Sequence, residues 1–80
     1  MPTVARFDGL RVVIYPNDHE PEHVHVIGGG CEAVFLLHCP WGLPERREVY
    51  GFTDGQVAQI RRKLARMIRD LYGAWERIHG

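Results

Sequence analysis

The spacing of apolar residues changes near Thr53, and this change divides the chain into two kinds of structure. Before it, apolar residues form short runs, such as residues 12–15 and 33–37. After it, they recur every three or four positions, which is typical of one face of a helix. Thr53 and Gln56 match a capping box, which marks the start of that helix. The sequence therefore predicts a helix over residues 54–78, with an apolar face formed by Val57, Ile60, Leu64, Met67, Ile68, Leu71, Trp75 and Ile78.

Two glycine-containing turns indicate that the first half of the chain forms antiparallel strands. Asp8-Gly9 supplies the positive φ angles of a two-residue hairpin turn. Gly28, Gly29 and Gly30 form the flexible tip of a second hairpin. Residues 47–52 fit either a short edge strand or an irregular approach to the helix. The predicted strands are residues 3–7, 10–15, 23–28 and 31–39.

These elements predict a single α+β domain over residues 1–80, in which an antiparallel meander of three to four strands carries one long C-terminal helix on one face. A helix of this length measures roughly 37 Å at 1.5 Å per residue, which exceeds the length of the strands. Its last turns after Gly73 are therefore expected to project, to dock on a partner, or to bend at Gly73. The helix is expected to cover Val12, Ile14, Val24, Val26, Ala33, Phe35 and Leu37.

Composition predicts a compact soluble protein of the cytoplasm. Apolar residues are 45% of the chain and charged residues 25%, as in average globular domains. No apolar run approaches the roughly 20 residues of a membrane span, and the first residues lack the apolar segment of a signal peptide. Cys31 and Cys39 lie at the two ends of one predicted strand, so they are roughly 26 Å apart. A disulfide needs Cα atoms within about 7 Å. Both cysteines are therefore expected to be free thiols in a reducing compartment.

The segment NDHEPEHVHV, residues 17–26, combines three of the five histidines with three carboxylates. Alternate side chains of a strand share a face, so His23 and His25 point away from the face of Val24 and Val26. If Gly28 pairs with Cys31, then His25 faces Val34 and His23 faces Leu36, and His38 lies further out on the same face. Asp18 and His19, on the loop before this strand, are expected to fold over the end of the face that carries His23 and His25.

Three interpretations of this histidine-bearing face stay open. An H-x-H pair on a strand can bind a metal, with His23, His25 and His19 as ligands and zinc or nickel as the ion, although no cofactor is the first expectation. Histidines beside a carboxylate also suit phosphodiester cleavage, with His23 and His25 as acid and base and Asp18 as the orienting group. The third interpretation is a polar strand face without chemistry. Whether the chain is an enzyme is left open.

A basic stripe on the helix and a loop tryptophan are the other candidate binding features. Arg62, Arg66 and Arg69 lie opposite the apolar face and suit phosphate or an acidic protein surface, although a solvated helix face has the same pattern. Residues 1–52 hold four basic and seven acidic residues, whereas residues 53–80 hold six and three, so the chain is bipolar. Trp41, between Pro40 and Gly42, is either a cap of the core or a binding anchor.

The opening MPTVARFDGLRVVIYPNDHEPEHVHV resembles the start of the bacterial domain-of-unknown-function 4160 family. That family shows an M-P-x-[IV]-x-x-F opening, an apolar strand and then N-D-H-x-P-x-H-[FV]-H-V. The resemblance covers residues 1–27; residues 42–46 are similar to the family's later G-x-L-P-x-R, and residues 75–77 to its late tryptophan segment. In this chain VYGFTDG, residues 49–55, separates Leu43-Pro44 from the helix, whereas family members begin the helix almost at once after the corresponding Leu-Pro.

The resemblance implies a partner more clearly than an activity. The family is functionally uncharacterised, and its genes often lie beside those of the domain-of-unknown-function 2442 family in what looks like toxin–antitoxin organisation. This implies a small protein partner of that type, or RNA as a target, and it directs attention to Asp18, His19, His23 and His25.

The expected function is therefore a small interaction protein, one member of a toxin–antitoxin-like pair. It would contact its partner or RNA through the histidine-bearing sheet face and the basic helix, and self-association is a further expectation. The alternatives are a small ribonuclease using His23 and His25, and a histidine metal-binding protein.

Overall fold

The computed structural model describes residues 3–38 and 43–79. These residues form a five-stranded antiparallel sheet followed by two helices, and each strand pairs with the next one along the chain. The α+β class and the antiparallel meander are confirmed. The elements are β1 Thr3–Phe7, β2 Leu10–Val13, β3 His23–Gly28, β4 Cys31–Leu36, β5 Glu45–Tyr50, α1 Asp54–Arg66 and α2 Ile68–His79.

The two hairpin turns form where the glycines indicated. Asp8 and Gly9 have φ angles of 52° and 77°, and Gly29 and Gly30 have φ angles of 58° and 78°, so both two-residue turns use the left-handed region. The second turn fixes the predicted register between β3 and β4. In that register Gly28 pairs with Cys31, His25 with Val34, and His23 with Leu36.

Two strands end earlier than the sequence predicted. β2 stops at Val13 rather than at residue 15, and β4 stops at Leu36 rather than at residue 39. His38 adopts a φ of 53°, which cannot continue a strand. Ile14 and Leu37 lie just beyond these strand ends, and both are still fully buried in the core, as their apolar side chains indicated. Cys31 is a free thiol, as predicted, and Cys39 lies outside the described residues.

The predicted count of three to four strands is too low, because β5 forms a fifth. Its sequence gave a weak signal, since five of its six residues are exposed and only Val49 is partly buried. Backbone pairing with β4, rather than side-chain burial, defines this edge strand. The register passes from Val34↔Glu48 to Phe35↔Arg46, so Arg47 is the extra residue of a bulge.

The single long helix was also predicted wrongly, because the helix is divided at Met67. Met67 has φ −111° and ψ 20°, and its N–H donates to the carbonyl of Leu64 at 3.1 Å, which closes α1. A straight helix of roughly 37 Å would exceed the 33 Å extent of the molecule. The break lets α2 turn its own apolar side, Leu71, Ala74 and Trp75, into the core. Gly73, where a bend was considered, lies inside α2.

The helices cover the predicted face of the sheet. All seven expected sheet residues belong to one core cluster with residues of α1 and α2. The start of α1 is capped as predicted: the N–H of Gln56 donates to Thr53 Oγ1 at 3.1 Å, and the N–H of Thr53 donates to Gln56 Oε1 at 2.8 Å. No helix among the described residues is long and apolar enough to cross a membrane.

The opposite face of the sheet is less open than the sequence suggested. Val13 and Val34 flank His25 in the strand register and are only 0% and 9% exposed. The loop between β2 and β3 lies on this face, because the rings of Tyr15 and His25 are in edge contact at 4.8 Å and Asp18 reaches His25 as well. The histidine-bearing face is therefore a partly covered site rather than a bare strand surface.

Candidate metal centre

A tight turn places Asp18 over the sheet. The backbone N–H of Asp18 donates to the carbonyl of Tyr15 at 3.0 Å, as in a β-turn with Pro16 at its second position. The carboxylate of Asp18 then accepts the backbone N–H of Tyr15 through Oδ2, also at 3.0 Å. The carboxylate is thus held by its own turn, only 14% exposed, in the position over the end of β3 that the sequence predicted.

The side chains of His23 and His25 emerge from β3 on one face, and each is anchored through its Nδ1 atom. His23 Nδ1 lies 2.8 Å from the carbonyl oxygen of Pro21, and His25 Nδ1 lies 3.3 Å from Glu32 Oε2. Carbonyl and carboxylate oxygens accept hydrogen bonds, so both Nδ1 atoms donate. In the neutral imidazole this leaves the lone pair on Nε2.

Both Nε2 atoms point at the same carboxylate. His25 Nε2 lies 3.3 Å and His23 Nε2 lies 3.5 Å from Asp18 Oδ2. The three ligand atoms of this Asp18/His23/His25 cluster lie within 4.8 Å of one another. His25 Nε2 is buried and has no correctly aligned hydrogen-bond partner in the described part of the chain. Its short contact with Asp18 is therefore a convergence of polar atoms rather than a hydrogen bond.

Aromatic rings connect the cluster to α2. The rings of His23 and His25 are 5.3 Å apart, and the ring of His23 is 5.4 Å from that of Trp75. Trp75, predicted as a core residue, is 2% exposed and stacks on His79 at 3.9 Å.

Sequence reasoning missed His79. Its Nδ1 donates to the carbonyl of Trp75 at 3.2 Å, and its Nε2 is buried without a partner among residues 3–38 and 43–79. The four-residue spacing between Trp75 and His79 could have indicated their contact, because residues four apart are neighbours on a helix.

A cavity of about 370 Å³ opens beside the cluster. The cluster residues form part of its wall together with the loop that carries Asp18, and β5 contributes Arg47 and Glu48. A second cavity of about 540 Å³ lies on the other side of the loop, against Trp75, Glu76 and His79. The cluster can therefore be reached from solvent although its atoms are mostly buried.

The remaining predicted site residues lie away from the cluster. His19 is exposed and lines both cavities, beside the three converging ligand atoms rather than among them. His38 does not extend the histidine face as predicted, because it lies beyond the end of β4. Its Nε2 atom lies 2.6 Å from Glu45 Oε1, and both residues line a separate cavity. Arg62, Arg66 and Arg69 are exposed on the helices. Trp41 lies outside the described residues.

Comparison with known proteins gives a family and no activity. A family model described as "Domain of unknown function (DUF4160)" matches residues 9–76. This match extends past the segment that carries the resemblance, residues 1–27, and includes β5, α1 and most of α2. The comparison with curated proteins found no match, and neither did the comparison with solved structures.

Proposed function

Because the chain belongs to the DUF4160 family, whose description assigns no activity, we propose a function from the site itself: the protein binds one divalent transition-metal ion, zinc or nickel, through Asp18, His23 and His25. Imidazole nitrogens and carboxylate oxygens are ligands that both ions accept. His19, the third ligand suggested by the sequence, is replaced in this proposal by Asp18.

The observation that carries the proposal is the convergence of two Nε2 atoms on Asp18 Oδ2, at 3.3 and 3.5 Å. Two lone pairs and a carboxylate oxygen repel one another unless a positive charge, that of a proton or of a metal ion, lies between them. Tetrahedral zinc with bonds of about 2.0–2.1 Å separates its ligand atoms by roughly 3.3–3.4 Å. The two separations found here support a site that needs little rearrangement to hold the ion.

The surroundings support the same proposal. Metal-binding histidines usually donate their second N–H to a carbonyl or a carboxylate, which fixes the ring and raises its basicity. Here Pro21 does this for His23 and Glu32 does it for His25. The ligating carboxylate is usually hydrogen-bonded too, and Asp18 accepts the N–H of Tyr15.

The centre that we propose is of the catalytic type. An ion held by two histidines and one carboxylate keeps at least one coordination position free, whereas a structural zinc ion has all of its positions filled by protein ligands. That position would face the cavity of about 370 Å³, where a bound water could be activated or a substrate oxygen polarised.

Metal-free acid–base catalysis by His23 and His25, with Asp18 as the orienting group, is the weaker candidate. An acid and a base that cleave one phosphodiester must each reach a substrate atom. His25 Nε2 is buried, and its Nδ1 is occupied by Glu32. The Nε2 atoms of both imidazoles also point toward one carboxylate oxygen, that of Asp18.

A second candidate function is assembly with a small protein partner, as in a toxin–antitoxin-like pair. The observation that favours it is β5, an edge strand whose outer residue Tyr50 is 63% exposed, with Leu43, 65% exposed, just before the strand. An open strand edge can accept a strand from another chain. The two functions are compatible, because the metal cluster lies on β3 and its loop.

The test of the metal proposal is a titration of untagged apoprotein with zinc and with nickel, in competition with a chromophoric chelator. We expect one ion per chain for the wild type and for His38→Ala, a histidine outside the cluster. His23→Ala should weaken binding by more than the roughly 10–100-fold that loss of an outer partner costs.

The folded state of each variant is checked by its circular dichroism spectrum before titration. Absence of metal binding in the wild type, or equal weakening in His38→Ala and His23→Ala, would overturn the proposal.

A further inference from the structure

Two neighbouring arginines of β5 lie in different surroundings. Arg46, paired with Phe35, forms an ion pair with Asp54 at 3.4 Å and lines a cavity beside His38. Arg47, the extra residue of the bulge, instead lines the cavity of the Asp18/His23/His25 cluster. The bulge keeps Glu48, paired with Val34, on the face of this cavity together with Arg47. Strict alternation from Arg46 would place Glu48 on the other face.

Arg47 is the positively charged residue among the described residues that line this cavity. Three carboxylates line it as well, those of Asp18, Glu20 and Glu48. Even so, Arg47 forms no ion pair with any carboxylate of residues 3–38 or 43–79. Its guanidinium donors are therefore available to a ligand that enters the cavity.

We propose that the metal centre binds an oxyanion, the carboxylate or phosphate group of a small ligand, with one oxygen on the metal and the others on Arg47. The inference rests on the proposed function, because it uses the open coordination position of the ion. A planar guanidinium matches two oxygens of such a group. A bound divalent ion, together with Arg47, would balance the three carboxylates of the cavity, and its charge would attract an anion to the open coordination position.

The size of the cavity limits the ligand. About 370 Å³ is near the lower end of the roughly 300–1,000 Å³ of small-molecule sites. The apolar side chains of Val34 and Leu36 form part of the wall, so the oxyanion group would sit beside a short apolar portion. A small carboxylic acid or phosphate ester meets both conditions.

The experiment uses the cobalt(II)-loaded protein, because the visible absorption of cobalt reports any change in its coordination. Inorganic phosphate and acetate are titrated separately into the wild type, Arg47→Gln and the matched control Arg46→Gln. We expect saturable spectral changes with at least one anion in the wild type and in Arg46→Gln. Arg47→Gln should bind that anion about tenfold more weakly, the loss expected for a charge-assisted hydrogen bond, with unchanged affinity for cobalt.

The outcomes separate this inference from the metal proposal. Equal anion affinity in Arg47→Gln and the wild type, equal weakening in both arginine variants, or no spectral response to either anion overturns the inference while leaving the metal site in place. Failure of the wild type to bind cobalt, zinc or nickel overturns both. A response to acetate alone assigns a carboxylate ligand, and a response to phosphate alone assigns a phosphate ligand.

Discussion

Tyr15 and Asp18 exchange two hydrogen bonds, each 3.0 Å long, one between backbone groups and one from the Tyr15 N–H to the Asp18 carboxylate. The same Oδ2 atom receives both histidine contacts. The turn therefore orients the carboxylate that the proposed metal centre requires. Its structural and chemical roles can be separated by substitution.

Asp18→Asn should lose the metal while keeping the fold. The amide oxygen can still accept the N–H of Tyr15, but the negative charge is gone. Asp18→Ala should also lose the metal, and it should destabilise the fold by about 1 kcal/mol because the hydrogen bond to Tyr15 is missing. Thermal unfolding in the presence of a chelator measures the fold, and zinc competition measures the site. If Asp18→Asn binds zinc as tightly as the wild type, Asp18 is not a ligand.

Glu32→Gln should weaken metal binding without removing a ligand. Glu32 Oε2 accepts from His25 Nδ1 at 3.3 Å, and its side chain is 43% exposed. Loss of such an outer partner costs roughly 10–100-fold in affinity, and we expect the lower end because solvent can replace part of the interaction.

The matched control for Glu32→Gln is Glu45→Gln, which removes a carboxylate from His38 in the same way. Zinc affinity should be unchanged in this control. A similar change in both variants would mean that the effect of Glu32 is not exerted through His25.

Trp75 should report metal binding by fluorescence. Its ring is 5.4 Å from that of His23, and the chain has two tryptophans, so Trp41→Phe leaves Trp75 as the single emitter. Nickel or cobalt bound at His23 should quench this emission and reach a plateau at one equivalent. Adding His23→Ala to the same background should remove the quenching. Quenching that persists there would place the ion elsewhere.

Gly73→Ala should stabilise the protein by about 0.5–1 kcal/mol, because alanine is the better helix former and loses less backbone entropy on folding. A Cβ at this position would meet only the end of the Arg77 side chain, at 3.5 Å. Chemical denaturation of the apoprotein measures the change.

Gly51→Ala is the opposing case for the same measurement. Gly51 has a φ of 91°, and its Cβ would lie 2.8 Å from Cys31 Sγ, so we expect a loss of about 1–3 kcal/mol. Destabilisation by Gly73→Ala as well would contradict a helix α2 that runs through Gly73.

The fold could be predicted where local chemistry decides the structure. Asp8-Gly9 determines a hairpin, Thr53 and Gln56 determine a helix start, and strand alternation places His23 and His25 on one face. The break at Met67 escaped prediction because the apolar positions keep their helical spacing across it, from Leu64 through Ile68 to Leu71.

The candidate site follows the same division. Asp18 could be placed over the strand end because it is close in sequence to His23. Glu32 meets His25 only through the register of a hairpin, and His79 comes from the other end of the chain. Arg47 lines the cavity from β5, an exposed edge strand that is defined by its pairing with β4. Each of these depends on tertiary geometry, and each residue type is common on protein surfaces.

All three ligands of the proposed centre, and the partners that hold them, lie between residues 15 and 32. The ligands of such a local set stay near one another when the chain unfolds, because Asp18, His23 and His25 lie within the segment of residues 18–25. The unfolded ensemble should therefore retain some affinity for the ion, which subtracts from the stabilisation that binding gives. We therefore expect bound metal to raise the melting temperature by less than its affinity for the folded protein would predict. Such a protein would carry the ion without depending on it for its fold.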